Sequence, residues 1–197
     1  AVKFKIGDGD VEKDVRDIKA IRNIIGTDIN LMVDYNQSLD VPDAINRIKK
    51  ISEFGIYWVE EPVLAEDFAG HVQVRNASDI AIQTGENWWF PEDAARAIRA
   101  EISDHAMLDI MKIGGVTGWL KAAKIAERAS LPISSHIFIE ASAHVMPSTP
   151  TAHLLEYLDV ASSVLIEPYN IENGSIVPHG PGLGIEWNTK TIQEYTI

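Results

Sequence analysis

Short β-branched runs alternate with longer stretches of helical periodicity along the whole chain, and this alternation restricts its fold more than any other feature. Val2–Ile6 reads as a strand. The apolar residues Val15, Ile18, Ile21 and Ile25 recur every three or four positions and predict a helix over Val11–Ile25, with Gly26 as its stop. The unit then repeats. Strands are expected at Asn30–Val33, Tyr57–Val59, Ile80–Thr84, Met107–Ile110 and Pro132–Ser134. Helices are expected at Pro42–Ser52, Phe68–Ala77, Pro91–Ala100 and Thr117–Ala129, followed by helical stretches between Ala141 and Tyr157, and Ser163–Ile166 is expected as the last of seven strands. Gly180-Pro-Gly-Leu-Gly184 is the one dense cluster of breakers and marks a C-terminal loop, so a single domain over residues 1–197 is expected.

Strands joined by helices of this length imply a parallel sheet, either open and doubly wound or closed as a barrel. The placing of polar residues favours the barrel. Asp34, Glu60, Glu86, Asp109 and His136 each fall at or near the C-terminal end of a different expected strand, and that rim carries the active site in (β/α)₈ proteins. An open nucleotide-binding sheet would place a glycine-rich phosphate loop after its first strand, and Gly7-Asp-Gly9-Asp lacks that fingerprint.

Charge and composition narrow the partners. With 29 acidic against 17 basic residues the net charge is -12, which disfavours nucleic acid and anionic membrane surfaces. No apolar run approaches the roughly 20 residues of a membrane span, and no leader-like segment opens the sequence, so a soluble protein is expected, with the cytoplasm as the default compartment. The absence of cysteine removes disulfides and thiolate chemistry. Ala1 runs directly into a strand without Met or cap, and an N-terminal part is therefore expected to precede it.

Asp34, Glu60 and Glu86 end three consecutive strands, and three converging carboxylates repel unless a cation neutralises them. Mg²⁺ suits such an oxygen-only site, at ligand distances of about 2.0–2.1 Å. Glu61 rivals Glu60, because neighbours on a strand point to opposite sides and periodicity does not choose between them. Lys3 and Lys5, two apart on one strand, share a face and are expected to depress each other's pKa, as a lysine base requires. The alternative is an edge strand kept from aggregating by its lysines. His136 is a second candidate base, with Asp109 placed to fix its tautomer. His71, His105, His144, His153 and His179 are read as structural. Glu156, read near the end of a helical stretch Thr151–Tyr157, could donate a proton to a developing oxyanion if its pKa is raised.

The segments Lys3-Phe-Lys-Ile-Gly, Met32-Val-Asp-Tyr-Asn-Gln-Ser-Leu-Asp40, Trp58-Val-Glu-Glu-Pro62, Gly85-Glu-Asn-Trp88, Met111-Lys-Ile-Gly-Gly-Val-Thr-Gly-Trp119 and Ser134-Ser-His136 together resemble the mandelate racemase group of the enolase superfamily. The resemblance implies a TIM-type (β/α)₇β barrel, incomplete here because the family's capping domain and first βα unit are absent from the sequence. It implies Mg²⁺ held by Asp34, Glu60 and Glu86, which selects Glu60 over Glu61, and bases Lys5 and His136, the latter paired with Asp109. It further implies that Lys3 neutralises the substrate carboxylate, that Glu156 is an electrophilic acid and that Asn36 contacts the substrate α-hydroxyl. The implied activity is α-proton abstraction from a small-molecule carboxylate to an enediolate, with racemisation of a 2-hydroxy acid as the first outcome and dehydration of a sugar acid as the alternative. A homo-oligomer is implied as well. The non-enzymatic alternative is an inactive barrel fragment.

Overall fold

In a computed structural model that describes residues 1–196, seven strands run parallel in chain order: β1 (Val2–Lys5), β2 (Leu31–Asp34), β3 (Ile56–Glu60), β4 (Ala81–Thr84), β5 (His105–Asp109), β6 (Ile133–His136) and β7 (Ala152–Leu155). They form an α/β partial barrel. Helices α1 (Val11–Ile25), α2 (Val41–Ile51), α3 (Phe68–Asn76), α4 (Phe90–Arg99), α5 (Gly115–Arg128) and α6 (Ile139–Val145) connect them, and α7 (Thr189–Glu194) follows the sheet. None of the helices described is long and apolar enough to cross a membrane.

Local chemistry sets where the helices begin. Asp10 accepts from Lys13 N–H at 2.8 Å, Asp40 from Asp43 N–H at 2.9 Å and Asp67 from Gly70 N–H at 2.8 Å, so three of the crossovers open on an aspartate cap. At the other end of α1, Gly26 takes a φ of 73° and returns its N–H to Arg22 O at 2.9 Å.

The C-terminal part differs from the expectation. Ser163–Ile166 is not the seventh strand: residues 162–164 form a 3₁₀ turn, and Leu165 makes only an isolated antiparallel bridge to Trp187. The seventh strand is instead β7, within the stretch read as helical. The helical run ends early because α6 passes into the short 3₁₀ turn Met146–Ser148, after which Ala152 to Leu155 pair with β6. Glu156 therefore follows a strand, not a helix.

Two apolar layers pack the helices on the sheet. One gathers Ile18, Val33, Ile48, Val59 and Ile82 across the first half of the molecule, and the other Leu108, Ile113, Trp119, Ala123 and Ile133 across the second. Inside the barrel Met32, Trp58 and Met107 fill the space beneath the strand ends, so the interior is a packed plug. Asp14 ties the first units together. Buried on α1, it accepts from Arg47 Nη1 of α2 at 2.8 Å and from the N–H of Gly7, just after β1, at 3.0 Å. Towards the N-terminal ends of the strands the rings of His105 and His153 stack at 5.1 Å, and the Tyr57 hydroxyl lies 2.9 Å from His153 Nε2.

Two outcomes follow for stability. Arg47→Met leaves the Asp14 carboxylate buried without its cation and should cost about 3–5 kcal/mol in urea unfolding, whereas Lys13→Met, at an exposed pair, should cost little. Burial holds the His105 and His153 imidazoles below their ordinary value, and for His105 the neighbouring ring adds to the effect. Both stay neutral in the folded chain where they would charge in the unfolded one. Their contribution is complete above about pH 6.5 and is lost as the pH falls through the lowered values. A His105→Phe/His153→Phe variant should therefore lose less stability than the parent between about pH 8 and about pH 5.5, and an equal loss in both would refute the assignment.

Candidate active site

Parallel register brings the acids together. Lys5 pairs with Asp34, Asp34 with Glu60 and Glu60 with Gln83, so the ends of β1 to β4 lie level. Beyond β4, Gly85 takes a φ of 137°, and a Cβ there would stand 2.9 Å from the Met107 carbonyl oxygen; a glycine lets the chain turn tightly enough to bring Glu86 back over the rim. Asn36, Glu61 and Ile137 also take left-handed backbone conformations directly after the strand ends, with φ of 45°, 38° and 31°. One carboxylate oxygen from each of Asp34, Glu60 and Glu86 lies within 4.8 Å of the others, and all three residues are buried.

The lysines of β1 reach this cluster separately. Lys3 Nζ lies 2.6 Å from Glu60 Oε1 and 2.7 Å from Glu156 Oε1, thereby spanning the open side of the barrel between β1 and β7. Lys5 Nζ lies 2.8 Å from Asp34 Oδ2. Mutual depression of the two pKa values is not what this arrangement produces at Lys3. Burial would lower it, but the Glu60 and Glu156 carboxylates outweigh that and hold it above the ordinary lysine value. Burial and the nearby Asp34 in turn push the Glu60 carboxyl up, against the pull of Lys3.

On the far side His136 Nδ1 is 2.7 Å from Asp109 Oδ2, and Nε2 faces Glu86 Oε2 at 3.4 Å. A carboxylate only accepts, so Nδ1 carries the hydrogen towards Asp109. Burial opposes the charge on His136, yet the Asp109 bond and the nearby Glu86 and Glu156 carboxylates raise its pKa. Asp109 is held low: the bonds from His136 and the N–H groups of Lys112 and Met111 outweigh its burial. Glu156 Oε2 accepts from Ile137 N–H at 2.9 Å. Lys3 and that bond outweigh its burial and keep its pKa below the ordinary value, the reverse of the raised pKa that proton donation asks for.

Asp34, Glu86, Glu156, Lys3, Lys5 and His136 line a cavity of about 650 Å³ whose wall also includes Met32, Trp58, Leu155, Tyr157, Leu158 and Ile171, with Glu60 and Asp109 set behind the lining. Asn36 lies outside this lining. It is exposed and meets the cluster through its backbone N–H, 2.7 Å from Asp34 Oδ1. Several participants escaped the sequence reading. Trp58 Nε1 and Gln83 Nε2 each donate to Glu60 Oε2 at 3.2 Å. Gln37, Glu61, Asn87 and Lys112 form a second polar layer. Glu61 is the rival of Glu60 in the sequence reading, and of the others only Lys112 carries a signal, its three-residue spacing from Asp109 on the same turn.

A parallel barrel that gathers acids, lysines and a histidine at the carboxyl ends of its strands defines a class of barrel with an acidic, cation-compatible centre. The chain belongs to the enolase C-terminal domain-like family, which matches residues 1–191. A crystal structure of an enolase from Bradyrhizobium complexed with magnesium and mandelic acid is 50% identical, with a TM-score of 0.97 over 99% of this chain and 54% of that one. The L-talarate dehydratase from Polaromonas sp. JS666 complexed with Mg and L-glucarate is 30% identical, with a TM-score of 0.90 over 98% of this chain and 53% of that one. The D-galactarolactone cycloisomerase of Agrobacterium fabrum is 33% identical over 99% of this chain and 56% of its own length. The chain spans about half the length of the curated relatives it matches.

The donor set fits a hard divalent cation: three buried carboxylates offer oxygen alone, and the nearby ammonium groups neutralise them only in part. Magnesium should therefore raise the unfolding free energy by about 2.7 kcal/mol at 100 times its dissociation constant. Chelation should reverse the shift and Glu86→Gln should diminish it; a melting curve indifferent to magnesium would show that the cluster is not a cation site.

Proposed function

We propose that the protein is a Mg²⁺-dependent enzyme that moves the α-proton of a 2-hydroxy acid and racemises it. The single observation that carries this reading is that two basic side chains meet different members of the acidic cluster. Lys5 contacts Asp34 and His136 contacts Glu86, the two outer members of a cluster whose middle member is Glu60. A substrate carbon poised over that cluster has a base on either side. Likeness to the Bradyrhizobium structure with magnesium and mandelic acid supports the same reading.

In this reading Asp34, Glu60 and Glu86 hold the cation, which when bound supplies Lewis acidity to a substrate carboxylate. Lys3, an ammonium over the working pH range, neutralises the carboxylate and the charge that develops on it as the α-proton leaves. Lys5 Nζ, as the free amine, removes that proton from one enantiomer while protonated His136 Nε2 delivers its proton to the opposite face, and for the other enantiomer neutral His136 Nε2 abstracts and the Lys5 ammonium delivers. Asp109 holds the imidazole so that Nε2 faces the cavity. Glu156 takes up a proton from solvent when the substrate carboxylate draws Lys3 away from it, and then donates a hydrogen bond to the developing oxyanion.

The likeness to the talarate dehydratase favours a second reading, in which His136 protonates a departing β-hydroxyl and the product is a keto acid. The cavity wall weighs against it. Leu155, Tyr157, Leu158 and Ile171 are apolar or aromatic, and they suit a 2-hydroxy acid with an apolar side chain better than a polyol.

With both enantiomers of mandelate in D₂O, the enzyme should exchange each α-proton and racemise. His136→Asn should retain exchange from one enantiomer only, and Lys5→Met from the other. Exchange at neither α-carbon would defeat the racemase reading, and keto-acid formation from a sugar acid would replace it with the dehydratase.

A further inference from the structure

The three acids are not steadied alike. Asp34 has the Lys5 ammonium at 2.8 Å and the Asn36 N–H at 2.7 Å. Glu60 has Lys3 at 2.6 Å, with Trp58 and Gln83 each at 3.2 Å. Among the described residues Glu86 has only longer contacts, His136 at 3.4 Å and the Asn87 amide at 3.5 Å.

Asn87 is itself held from behind. Its Oδ1 accepts from Lys112 Nζ at 2.7 Å, and an ammonium can bond only the oxygen of an amide. That contact turns Nδ2 towards the acids, where it donates to both oxygens of Glu61 at 3.0 Å and lies 3.5 Å from Glu86 Oε1. Glu61 is only 1% exposed, and Gln37 Nε2 also donates to its Oε2 at 3.0 Å. The Gln37 amide is oriented in the same way, since its Oε1 accepts from the Ala65 N–H at 2.8 Å. Two amides with fixed orientation thus clamp a buried carboxylate beside the cluster, and the Asn87 amide also reaches Glu86.

We infer that Lys112, acting only through Asn87, is a positioning residue that sets how tightly the acidic cluster holds its cation. The inference rests on the reading of Asp34, Glu60 and Glu86 as a Mg²⁺ site. A lysine placed directly on Glu86 would compete with the cation for the same oxygens. Routing its charge through a neutral amide polarises the donor that orients Glu86 and Glu61 while leaving Glu86 free to ligate. Lys3 and Lys5, by contrast, sit on their carboxylates and must share them.

Magnesium titration of the protein by calorimetry, with no substrate present, tests this. Loss of an outer-shell partner should weaken binding about 10–100-fold in Lys112→Met, and Lys112→Arg should recover most of it by keeping the donor to Asn87 Oδ1. Asn87→Ala should weaken binding comparably, and adding Lys112→Met to it should cost nothing more, because the lysine acts through the amide. Unchanged affinity in Lys112→Met and Lys112→Arg, or full additivity in the double variant, would overturn the inference while leaving the site itself intact. A parent protein that takes up no magnesium would instead overturn the cation site and the inference with it.

Discussion

Mutual repulsion among Asp34, Glu60 and Glu86 is the constraint around which the rest of the molecule is arranged. Three buried carboxylates with oxygens within 4.8 Å of one another are held there by parallel register rather than by attraction. The covalent scaffold must therefore be stiff where they emerge. Tyr35 N–H bonds Glu60 O at 3.0 Å, Glu61 N–H bonds Gln83 O at 3.0 Å and Gln37 N–H bonds Glu61 O at 2.8 Å, so the ladder continues past the strand ends into the loops that carry the acids. Below them Met32, Trp58 and Met107 form an apolar floor of low polarity, which strengthens the electrostatic interactions above it.

The surrounding charges fall into two kinds. Lys3 and Lys5 neutralise carboxylates by contact, whereas Lys112 acts across an amide. His136 stands between the two cases, with one nitrogen committed to Asp109 and the other turned to Glu86. Such a division follows from the geometry of a barrel rim. Residues at strand ends point into the mouth, while residues a few positions later, such as Asn87 and Lys112, lie behind them and can only orient what is in front.

The barrel and most of its rim were legible because each depends on a short-range pattern. Helical spacing of Val15, Ile18, Ile21 and Ile25 corresponds to α1, and a polar residue after each apolar run marks Asp34, Glu60 and Asp109. The seventh strand was not legible. His153-Leu154-Leu155 is too short a run to separate strand from helix, and only pairing with β6 decides it. That one error placed Glu156 on a helix instead of just after a strand and hid why it meets Lys3. Glu60 and Glu61 differ only in which way the chain turns, and the left-handed φ of 38° at Glu61 directs that residue to Gln37 and Asn87. The link from Lys112 to Glu61 joins three separate loops, and no spacing along the chain records it.

Lys3 and Lys5 show why residue type and periodicity do not suffice to assign a base. Two positions apart on β1, they share a face, yet Lys3 is 16% exposed and bridges two carboxylates while Lys5 is 66% exposed and meets one. An ammonium locked between Glu60 and Glu156 is raised away from neutrality and suits a permanent counter-charge. Lys5, more exposed and with one carboxylate partner, stands outside that cage, and it is the lysine proposed above to accept the α-proton as the free amine. The difference in setting within Lys-Phe-Lys thus comes from the far strand, because Glu156, delivered by β7, completes the cage around Lys3 and leaves Lys5 outside it.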